Sequence, residues 1–384
     1  MRNGYGRTRV WGVVGAVAVL LLGGCDKPSR PAEPSPKTFV FQTQTSIGLV
    51  RGSTVALQLK RVAGSLTGPV SLTRDGRHIY SAGDSAITVA DTASLVEQEI
   101  DCGGTCIGFL PPLAPLGDGV VGGFDLVATT NPSQDGKTTT AVVKGIDLNA
   151  SEHHVENLGS IPLAVPQPAQ SNVAPYTFFL DAAQGVYVFL QAVVYRPTRP
   201  WELAQTLYIV RPGSAPMSLG DYAFPSESDV WGVVSPDRKR LAVGSYSAAE
   251  SATACSSVGV DLFDTATGER TTIHPDTPAE GEVQYRVRRA WWGADGSLYV
   301  NYQQRQCDQN AAWSPPVVWA YTNGRWDRVS TPGPALFALN LGDGETAVVE
   351  PKGLNSGILY LIDKGGNRTQ IAEGVTAIAD IRQR

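Results

Sequence analysis

Residues 228–273 read SDVWGVVSPDRKRLAVGSYSAAESATACSSVGVDLFDTATGERTTI and contain four short strand-like segments separated by turn-forming residues. Val230–Ser235 is apolar and β-branched, and the Pro-Asp-Arg-Lys sequence that follows is typical of a turn. The apolar pattern resumes at Arg240–Ser245 and again at Val258–Phe263, and a last short segment follows Asp-Thr-Ala-Thr-Gly. Four such segments in succession predict a four-stranded antiparallel sheet.

The same unit recurs along the chain and is marked by two landmarks: a tight Asp-Gly-like turn after the first strand, and an apolar strand ending near Asp-Thr after the third. The six landmark pairs are Asp75 with Asp91, Asp118 with Asp147, Gln184 with Arg211, Asp237 with Asp264, Asp295 with Thr322, and Asp343 with Asp363. Thr38–Arg61 has room for three more strands, and Val375–Ile381 is a lone strand after the sixth unit. Pairing that C-terminal strand with the three N-terminal strands completes a seventh unit and removes the free sheet edges.

Repeated four-stranded units predict an all-β fold, a β-propeller with seven blades whose ring is closed by pairing the N-terminal strands with the C-terminal strand. Six blades, with the two ends as an appendage, is the alternative. The phrases LTRDGRHIY at residues 72–80 and SPDRKRLAV at residues 235–243 resemble bacterial repeat propellers of the WD40, YVTN and TolB-like kinds. Such propellers include binding platforms, lactonases, quinoprotein dehydrogenases and assembly scaffolds, so the resemblance implies an architecture and no single activity.

The composition agrees with a large β fold that does not bind nucleic acid. The 384 residues are 42% hydrophobic and 17% charged, which is typical of a globular chain with a large core. The 41 glycines and 26 prolines suit a chain with frequent turns. The net charge of −5, from 31 basic and 36 acidic residues, provides no basic field for phosphates and excludes nucleic acid as the expected partner.

The N-terminus has the pattern of an export signal. Arg2, Arg7 and Arg9 precede the apolar stretch Val10–Leu22, and Leu-Gly-Gly-Cys ends at Cys25. This arrangement resembles the signal and lipobox of bacterial lipoproteins, with an ordinary secretory signal or an uncleaved anchor as the alternative. The resemblance implies that Cys25 is acylated with fatty acids such as palmitate after cleavage. The mature protein would then be anchored in the cell membrane, on its extracytoplasmic face.

These features divide the chain into a signal peptide at 1–24, a lipidated cysteine with a Pro-rich tether at 25–37, and a propeller domain at 38–384. Asp26–Lys37 has four prolines and no large apolar residue, so it cannot bury a core and is expected to be an extended tether.

The four remaining cysteines predict disulfide bonds, because an even number in an exported chain is typical of a disulfide framework. Cys255 and Cys307 lie in inserts of neighbouring blades, and Cys102 and Cys106 would close a small local ring. These two bonds are the favoured pairing among the three that are possible. A redox or metal role for Cys102 and Cys106 is the alternative, although no further ligand follows at a suitable spacing.

Long loops between the second and third strands predict a binding surface. The four inserts are Phe124–Thr140, Ala192–Gln205, Tyr246–Ser257 and Tyr302–Pro316. Loops carry function more often than the scaffold that presents them, and Trp, Tyr and Arg dominate recognition surfaces. The candidate binding residues are Tyr195, Arg196, Arg199, Trp201, Arg305, Asp308, Gln309, Asn310 and Trp313. Alternatively, Trp201 and Trp313 pack their own loops onto the blade.

No catalytic, metal-binding or cofactor-binding constellation is evident in the sequence. None of His78, His153, His154 and His274 lies beside a candidate nucleophile, and the turn aspartates are best explained by carboxylates that cap backbone N–H groups. The sequence therefore favours a monomeric, cofactor-free binding or scaffold module of the bacterial cell envelope, which recognises a protein, peptide or glycan. The alternative is an exported propeller enzyme, such as a lactonase-like hydrolase or a sugar lyase.

Overall fold

The computed structural model of the protein describes residues 37–61, 70–83, 86–101, 110–128, 138–164, 176–193, 204–222, 231–247, 257–273, 283–293, 295–307, 311–353 and 355–381. The chain divides into two units, Met1–Pro36 and Lys37–Arg384. The first unit, and with it the predicted signal peptide, Cys25 and nearly all of the tether, lies outside the described residues. In the described ranges, no helix is both long and apolar enough to cross a bilayer.

The described residues are almost entirely β-strand and turn, as the sequence predicted. The first strands are β1 (Thr38–Thr43), β2 (Ser46–Arg51), β3 (Thr54–Lys60), β4 (His78–Ala82), β5 (Ala86–Asp91), β6 (Glu97–Asp101), β7 (Leu110–Pro115), β8 (Val120–Ala128), β9 (Thr138–Asp147) and β10 (Glu156–Ala164). They are followed by β11 (Tyr176–Ala183), β12 (Val186–Val193), β13 (Ala204–Val210), β14 (Met217–Tyr222), β15 (Gly232–Val234), β16 (Arg240–Ser247), β17 (Ser257–Asp264) and β18 (Arg270–Ile273). The remaining strands are β19 (Val283–Trp292), β20 (Leu298–Gln306), β21 (Val317–Thr322), β22 (Arg325–Arg328), β23 (Phe337–Gly342), β24 (Glu345–Pro351), β25 (Gly357–Ile362) and β26 (Arg368–Asp380).

Within the described residues, these strands form antiparallel groups that we number as blades in chain order. Blade one contains β4–β6 and an inner bridge from Leu72 to Ile79. Blades two to five contain β7–β10, β11–β14, β15–β18 and β19–β22. Blade six contains β23–β25 and the first half of β26, and blade seven contains the second half of β26 with β1–β3. This all-β arrangement of successive antiparallel sheets is a β-propeller.

Strand β26 belongs to two blades and joins the ends of the chain. Its first half pairs with β25, and its second half pairs with β1 through Thr43↔Val375, Phe41↔Ile378 and Phe39↔Asp380. A register shift at Gln42/Thr43 accompanies the change of partner. The C-terminal strand therefore lies inside the three N-terminal strands, at the place that the sequence predicted for Val375–Ile381.

Apolar side chains fill the space between consecutive blades. Each of seven clusters in the described chain joins two neighbouring blades, and one of them joins blade seven to blade one. In order, members from the two blades are Tyr80 with Ile146, Val143 with Tyr187, Leu207 with Leu241, Leu262 with Val300, Val318 with Val348, Phe337 with Phe39, and Ile47 with Ile79. Burying one large apolar side chain is worth about 1.5–3 kcal/mol, so these interfaces hold the blades together.

The two sequence landmarks of each unit, the Asp-Gly-like turn and the Asp-Thr ending of the third strand, contact each other in the folded blade. In blade four, the Ser235 hydroxyl and the Lys239 N–H donate to Asp237 Oδ1 at 2.5 and 3.1 Å, which closes the turn after the first strand. Thr265, which follows the third strand, donates its N–H to the Lys239 carbonyl at 2.9 Å and its hydroxyl to Arg238. The Asp-Gly-like turn and the Asp-Thr ending therefore form one hydrogen-bonded unit at the same end of the blade.

Blade one repeats this unit, and Asp91 is its most perturbed carboxylate. The Ser94 N–H and hydroxyl donate to Asp91 at 2.7 and 3.0 Å, the Ala93 N–H donates at 2.9 Å, and Arg77 pairs with it at 3.3 Å. Burial raises the pKa of Asp91, but the hydrogen bonds from Ser94, Ala93 and Arg77 outweigh burial and lower the pKa to about 2.

Arginine replaces aspartate at the end of two third strands and links adjacent blades. Arg211, at the landmark position of blade three, donates to the Thr265 carbonyl of blade four. Arg51, at the end of β2 in blade seven, donates to the carbonyls of Thr92 and Ala93 in blade one. A long cation at this position reaches the next blade, whereas the shorter aspartate caps its own turn.

Candidate binding site on the insert face

The insert face is the end of the blades that carries the connections between second and third strands. Most of the predicted binding residues lie outside the described residues: Tyr195, Arg196, Arg199, Trp201, Asp308, Gln309 and Asn310. Arg305 and Trp313 are described, and both are half-buried. The predicted insert Tyr302–Pro316 begins too early, because β20 continues to Gln306 and places Arg305 on a strand. Polar residues at the exposed end of β20 hid this extension from sequence reasoning.

Arg305 belongs to a set of four side chains on one surface of blade five. The β19–β20 register pairs Gln284 with Arg305 and Arg286 with Gln303, so all four project from the same side of the sheet. Arg305 Nε donates to Gln284 Oε1 at 2.6 Å. Arg286 Nε and Nη2 donate to Gln303 Oε1 at 3.2 and 3.0 Å. Each guanidinium is therefore oriented by a glutamine on the paired strand.

Trp313 packs against both of these arginines. The guanidinium carbons of Arg286 and Arg305 lie 4.0 and 4.7 Å from its ring centroid. Cation–π contacts at these distances contribute about 0.5–1 kcal/mol at exposed sites and more where water is excluded. Trp313 thus packs its loop onto the blade, and the same contact fixes the two cations at the surface.

The segment 311–316 that carries Trp313 is tied to β20. The Ser314 N–H donates to the Gln304 carbonyl at 2.7 Å, and the Gln304 N–H donates back to the Ser314 hydroxyl at 3.0 Å. Gln303 Nε2 donates to the Ser314 carbonyl at 2.8 Å. Cys307, which precedes the insert, is disulfide-bonded. The other four cysteines lie outside the described residues, so the pairing of Cys307 with Cys255 and the Cys102–Cys106 bond stay predictions.

The opposite surface of blade five packs against blade four and is aromatic. The Tyr285 and Tyr302 rings are stacked with centroids 6.0 Å apart, and Trp319 meets Tyr302 edge-on at 6.5 Å. Trp231 of blade four donates its indole N–H to the Val287 carbonyl at 3.1 Å. Burial, and then the neighbouring Tyr285, raise the pKa of Tyr302 to about 12. The aromatic surface of blade five is therefore a packed interface with blade four. It holds β19 and β20 in place beneath the surface that carries Arg286 and Arg305.

The β19–β20 hairpin is strongly basic in an acidic protein. Arg286, Arg288, Arg289 and Arg305 lie on these two strands, which contain no Asp or Glu. Arg289 donates to the Thr376 carbonyl of blade seven and lies 5.5 Å from the Phe337 ring of blade six. Burial, and then repulsion by Arg288, lower its pKa to about 10. The binding residues predicted from the sequence do not include Arg286, Arg288 or Arg289, although the segment VQYRVRRAWW contains three arginines within four positions.

A cleft lies on the insert face between blades six and seven, apart from the arginine surface of blade five. This cleft has a volume of about 560 Å³, and its polar lining includes Gln44, Thr45, Gln58, Ser356 and Glu373. Among the residues that the structure describes, no group of three or more His, Cys, Asp or Glu side chains is arranged to hold a metal ion.

No protein-family model matches the chain, and no curated protein matches it. The chain is similar to the acylaminoacyl peptidase of Pyrococcus horikoshii, with a TM-score of 0.47 and 12% identity over 88% of this chain and 52% of that one. It is also similar to the tricorn protease, with a TM-score of 0.44 and 11% identity over 89% of this chain and 35% of that one. The N-terminal domain of Nup159 has a TM-score of 0.33 and 10% identity, over 89% of this chain and 87% of that one. The chain thus spans about half and about a third of the two peptidase chains.

Proposed function

We propose that this protein is a lipid-anchored, extracytoplasmic binding or scaffold module of the bacterial cell envelope, which recognises a partner with the insert face of blade five. The observation that supports this function is the fixed arrangement of Arg286, Arg305 and Trp313. Recognition surfaces depend on a few Arg and aromatic side chains, and side chains that are held before binding lose less entropy when a partner arrives. Two hydrogen-bonded guanidiniums on one tryptophan fit that description.

The architecture in this proposal is a single closed ring of seven blades. The apolar clusters between successive blades, including the one between blades seven and one, support closure by β26. A closed ring leaves only short, protected sheet edges and makes a rigid base for loops. The loop-bearing face would therefore present its side chains in one geometry.

The anchor in this proposal is the acylated Cys25, followed by the tether Asp26–Lys37. A Pro-rich segment extends by about 3.1 Å per residue, so this tether could hold the propeller up to roughly 40 Å from its lipid. Stable anchoring requires more than one acyl chain or a second attachment signal, because a single chain binds membranes only reversibly. A module held at this distance could reach partners in the envelope without entering the bilayer.

The test of the binding function is crosslinking on intact cells of the native host, with capture of the acylated protein. One variant replaces residues 308–313 by a Gly-Ser segment of equal length and leaves Cys307 and Ser314 in place. A control variant makes the same exchange at 364–367, the β25–β26 connection at the opposite end of blade six. We expect a macromolecular partner with the wild type and the control, and its loss from the 308–313 variant. Equal capture by all three proteins would refute recognition by blade five.

The test of the anchor is Cys25→Ala. We expect the variant to move from the membrane fraction to the soluble extracytoplasmic or secreted fraction, because the acyl chains have no other attachment site in this proposal. Unchanged membrane retention after a carbonate wash would contradict lipid anchoring through Cys25.

A further inference from the structure

We propose that the site formed by Arg286, Arg305 and Trp313 binds carboxylate side chains of an acidic segment in a partner protein. This inference rests on the proposed binding function and names the chemistry of its partner. Arg305 is held in one direction by its contacts with Gln284 and Trp313. The Gln284 contact uses only Nε, and no partner of the two terminal nitrogens of Arg305 lies among the described residues.

The two terminal nitrogens of an arginine form a planar fork whose spacing matches the two oxygens of a carboxylate. In most surface arginines this fork moves freely, and ordering it on binding costs side-chain entropy. Here Gln284 and the Trp313 ring restrict the Arg305 side chain before any ligand arrives. The fork is therefore prepared for a planar anionic group.

Electrostatics favour the same ligand. Arg286 and Arg305 contact one indole ring, so their guanidiniums are at most about 9 Å apart. Charges at this separation still repel, because the Debye length is about 8 Å at physiological ionic strength. Strands β19 and β20 themselves contain no Asp or Glu. An acidic ligand would relieve the repulsion between the two guanidiniums, and the positive patch would attract it to a protein of overall net charge −5.

The ring contacts favour a peptide over a glycan. A tryptophan that binds sugars offers an open ring surface for stacking, whereas the surface of Trp313 is engaged by two guanidiniums. The oriented fork of Arg305 and the covered ring of Trp313 therefore fit an extended peptide with Asp or Glu residues better than a sugar.

The experiment measures fluorescence anisotropy of a fluorescein-labelled deca-glutamate peptide with the purified, full-length acylated protein in neutral detergent. Deca-glutamine is the uncharged probe, and polygalacturonate and inorganic phosphate are competitors. We expect deca-glutamate to bind, deca-glutamine to bind at least tenfold more weakly, and the affinity to fall with added salt. Stronger inhibition by polygalacturonate than by unlabelled deca-glutamate, at equal carboxylate concentration, would overturn the peptide assignment in favour of an anionic glycan.

The variants are Arg305→Gln, Arg305→Lys and the control Arg325→Gln. Arg325 lies on β22, its side chain is 80% exposed, and it pairs with Asp327 at 3.0 Å. It directly follows the β21–β22 turn, at the opposite end of blade five from Trp313. We expect Arg305→Gln to weaken deca-glutamate binding about tenfold, which corresponds to about 1.4 kcal/mol. Arg305→Lys should weaken it less, because the charge remains while the fork is lost. Arg325→Gln should stay within about twofold. Equal effects of Arg305→Gln and Arg325→Gln would overturn the proposal.

Cell-surface crosslinking distinguishes the binding function of blade five from the carboxylate site at Arg305. If the 308–313 exchange loses the partner while Arg305→Gln captures it fully, the binding function stands and the carboxylate site is overturned. If both variants lose it and deca-glutamate competes for capture, both proposals are supported. Thermal unfolding of each variant checks that a lost partner does not reflect a lost fold.

Discussion

Asp181 is a buried carboxylate that joins three blades, which makes its removal a sharp test of the fold. The residue is on β11 of blade three and is 3% exposed. One carboxylate oxygen pairs with Arg74 of blade one, and the other accepts the Val234 N–H of blade four at 2.7 Å. Arg74 also donates to the Ala182 carbonyl at 2.5 Å. We expect Asp181→Ala to destabilise the protein strongly.

The size of the stability loss depends on the two groups that lose their partner in Asp181→Ala, the Arg74 guanidinium and the Val234 N–H. Breaking a buried ion pair by removing one partner costs about 3–5 kcal/mol, because the other charge stays buried without compensation. The Arg74 side chain is 26% exposed, so water relieves part of that cost and the lower end applies. The buried Val234 N–H also loses its acceptor, which costs about 1–3 kcal/mol. Taking the lower end of both costs, we expect the free energy of unfolding to fall by about 4 kcal/mol for Asp181→Ala.

The assay is urea unfolding at neutral pH, followed by tryptophan fluorescence and circular dichroism to verify coincident transitions. Asp327→Ala is the matched control, because Asp327 pairs with Arg325 at 3.0 Å but is 59% exposed. We expect the control to change stability by less than about 0.5 kcal/mol. Adding Arg74→Met to Asp181→Ala should recover part of the loss, because no unpaired guanidinium remains. A loss no larger than that of the control, or a full additional loss in the double variant, would refute the reasoning.

Three further predictions concern packing, pH and the disulfide. Gly48→Val should lower the free energy of unfolding by about 1–3 kcal/mol in urea titrations, because a Cβ at position 48 would lie 2.2 Å from the ring of Phe41 on the paired strand; unchanged stability would contradict this packing. Asp91→Asn should reduce the stability that is lost between about pH 4 and pH 2: the folded-state pKa of Asp91 is about 2, below its unfolded value, so its contribution is present above the unfolded pKa and disappears as pH falls towards 2. Parallel loss in the variant and the wild type over that range would exclude Asp91 as a source of acid sensitivity. Non-reducing peptide mapping should recover Cys307 joined to Cys255, and a Cys307 peptide joined to another cysteine would show that the inserts pair differently.

Several features of the fold could be predicted from the sequence because they depend on short-range chemistry. Alternating and β-branched segments separated by Gly, Pro and Asp turns identify strands without knowledge of their neighbours. The landmark aspartates were interpreted as turn formers, and the hydrogen bonds of Asp237 confirm this role in blade four, as those of Asp75 do in blade one. The position of Val375–Ile381 could be predicted from counting, since one strand was missing at one end of the chain and one was left over at the other.

The site could be predicted only in part. Arg305 and Trp313 were selected for their residue types and their place near a long loop. Their partners Arg286, Gln284 and Gln303 were not, because the contact depends on the register of β19 and β20. A shift of one residue in that register would send the arginine and the glutamine to opposite sides of the sheet.

The sequence by itself determined the strand and turn segments of this protein, its negative net charge and the resemblance of its N-terminus to a lipoprotein signal. Each of these depends only on residue types and on residues that are close together in the chain. The tertiary structure alone decided which side chains meet across blades and strands. Arg74 reaches Asp181, and Arg211 reaches Thr265, across long separations in the chain. Two arginines share one tryptophan because strand register and a folded-back loop bring them together. Long-range packing creates these contacts, and no local pattern in the chain encodes them.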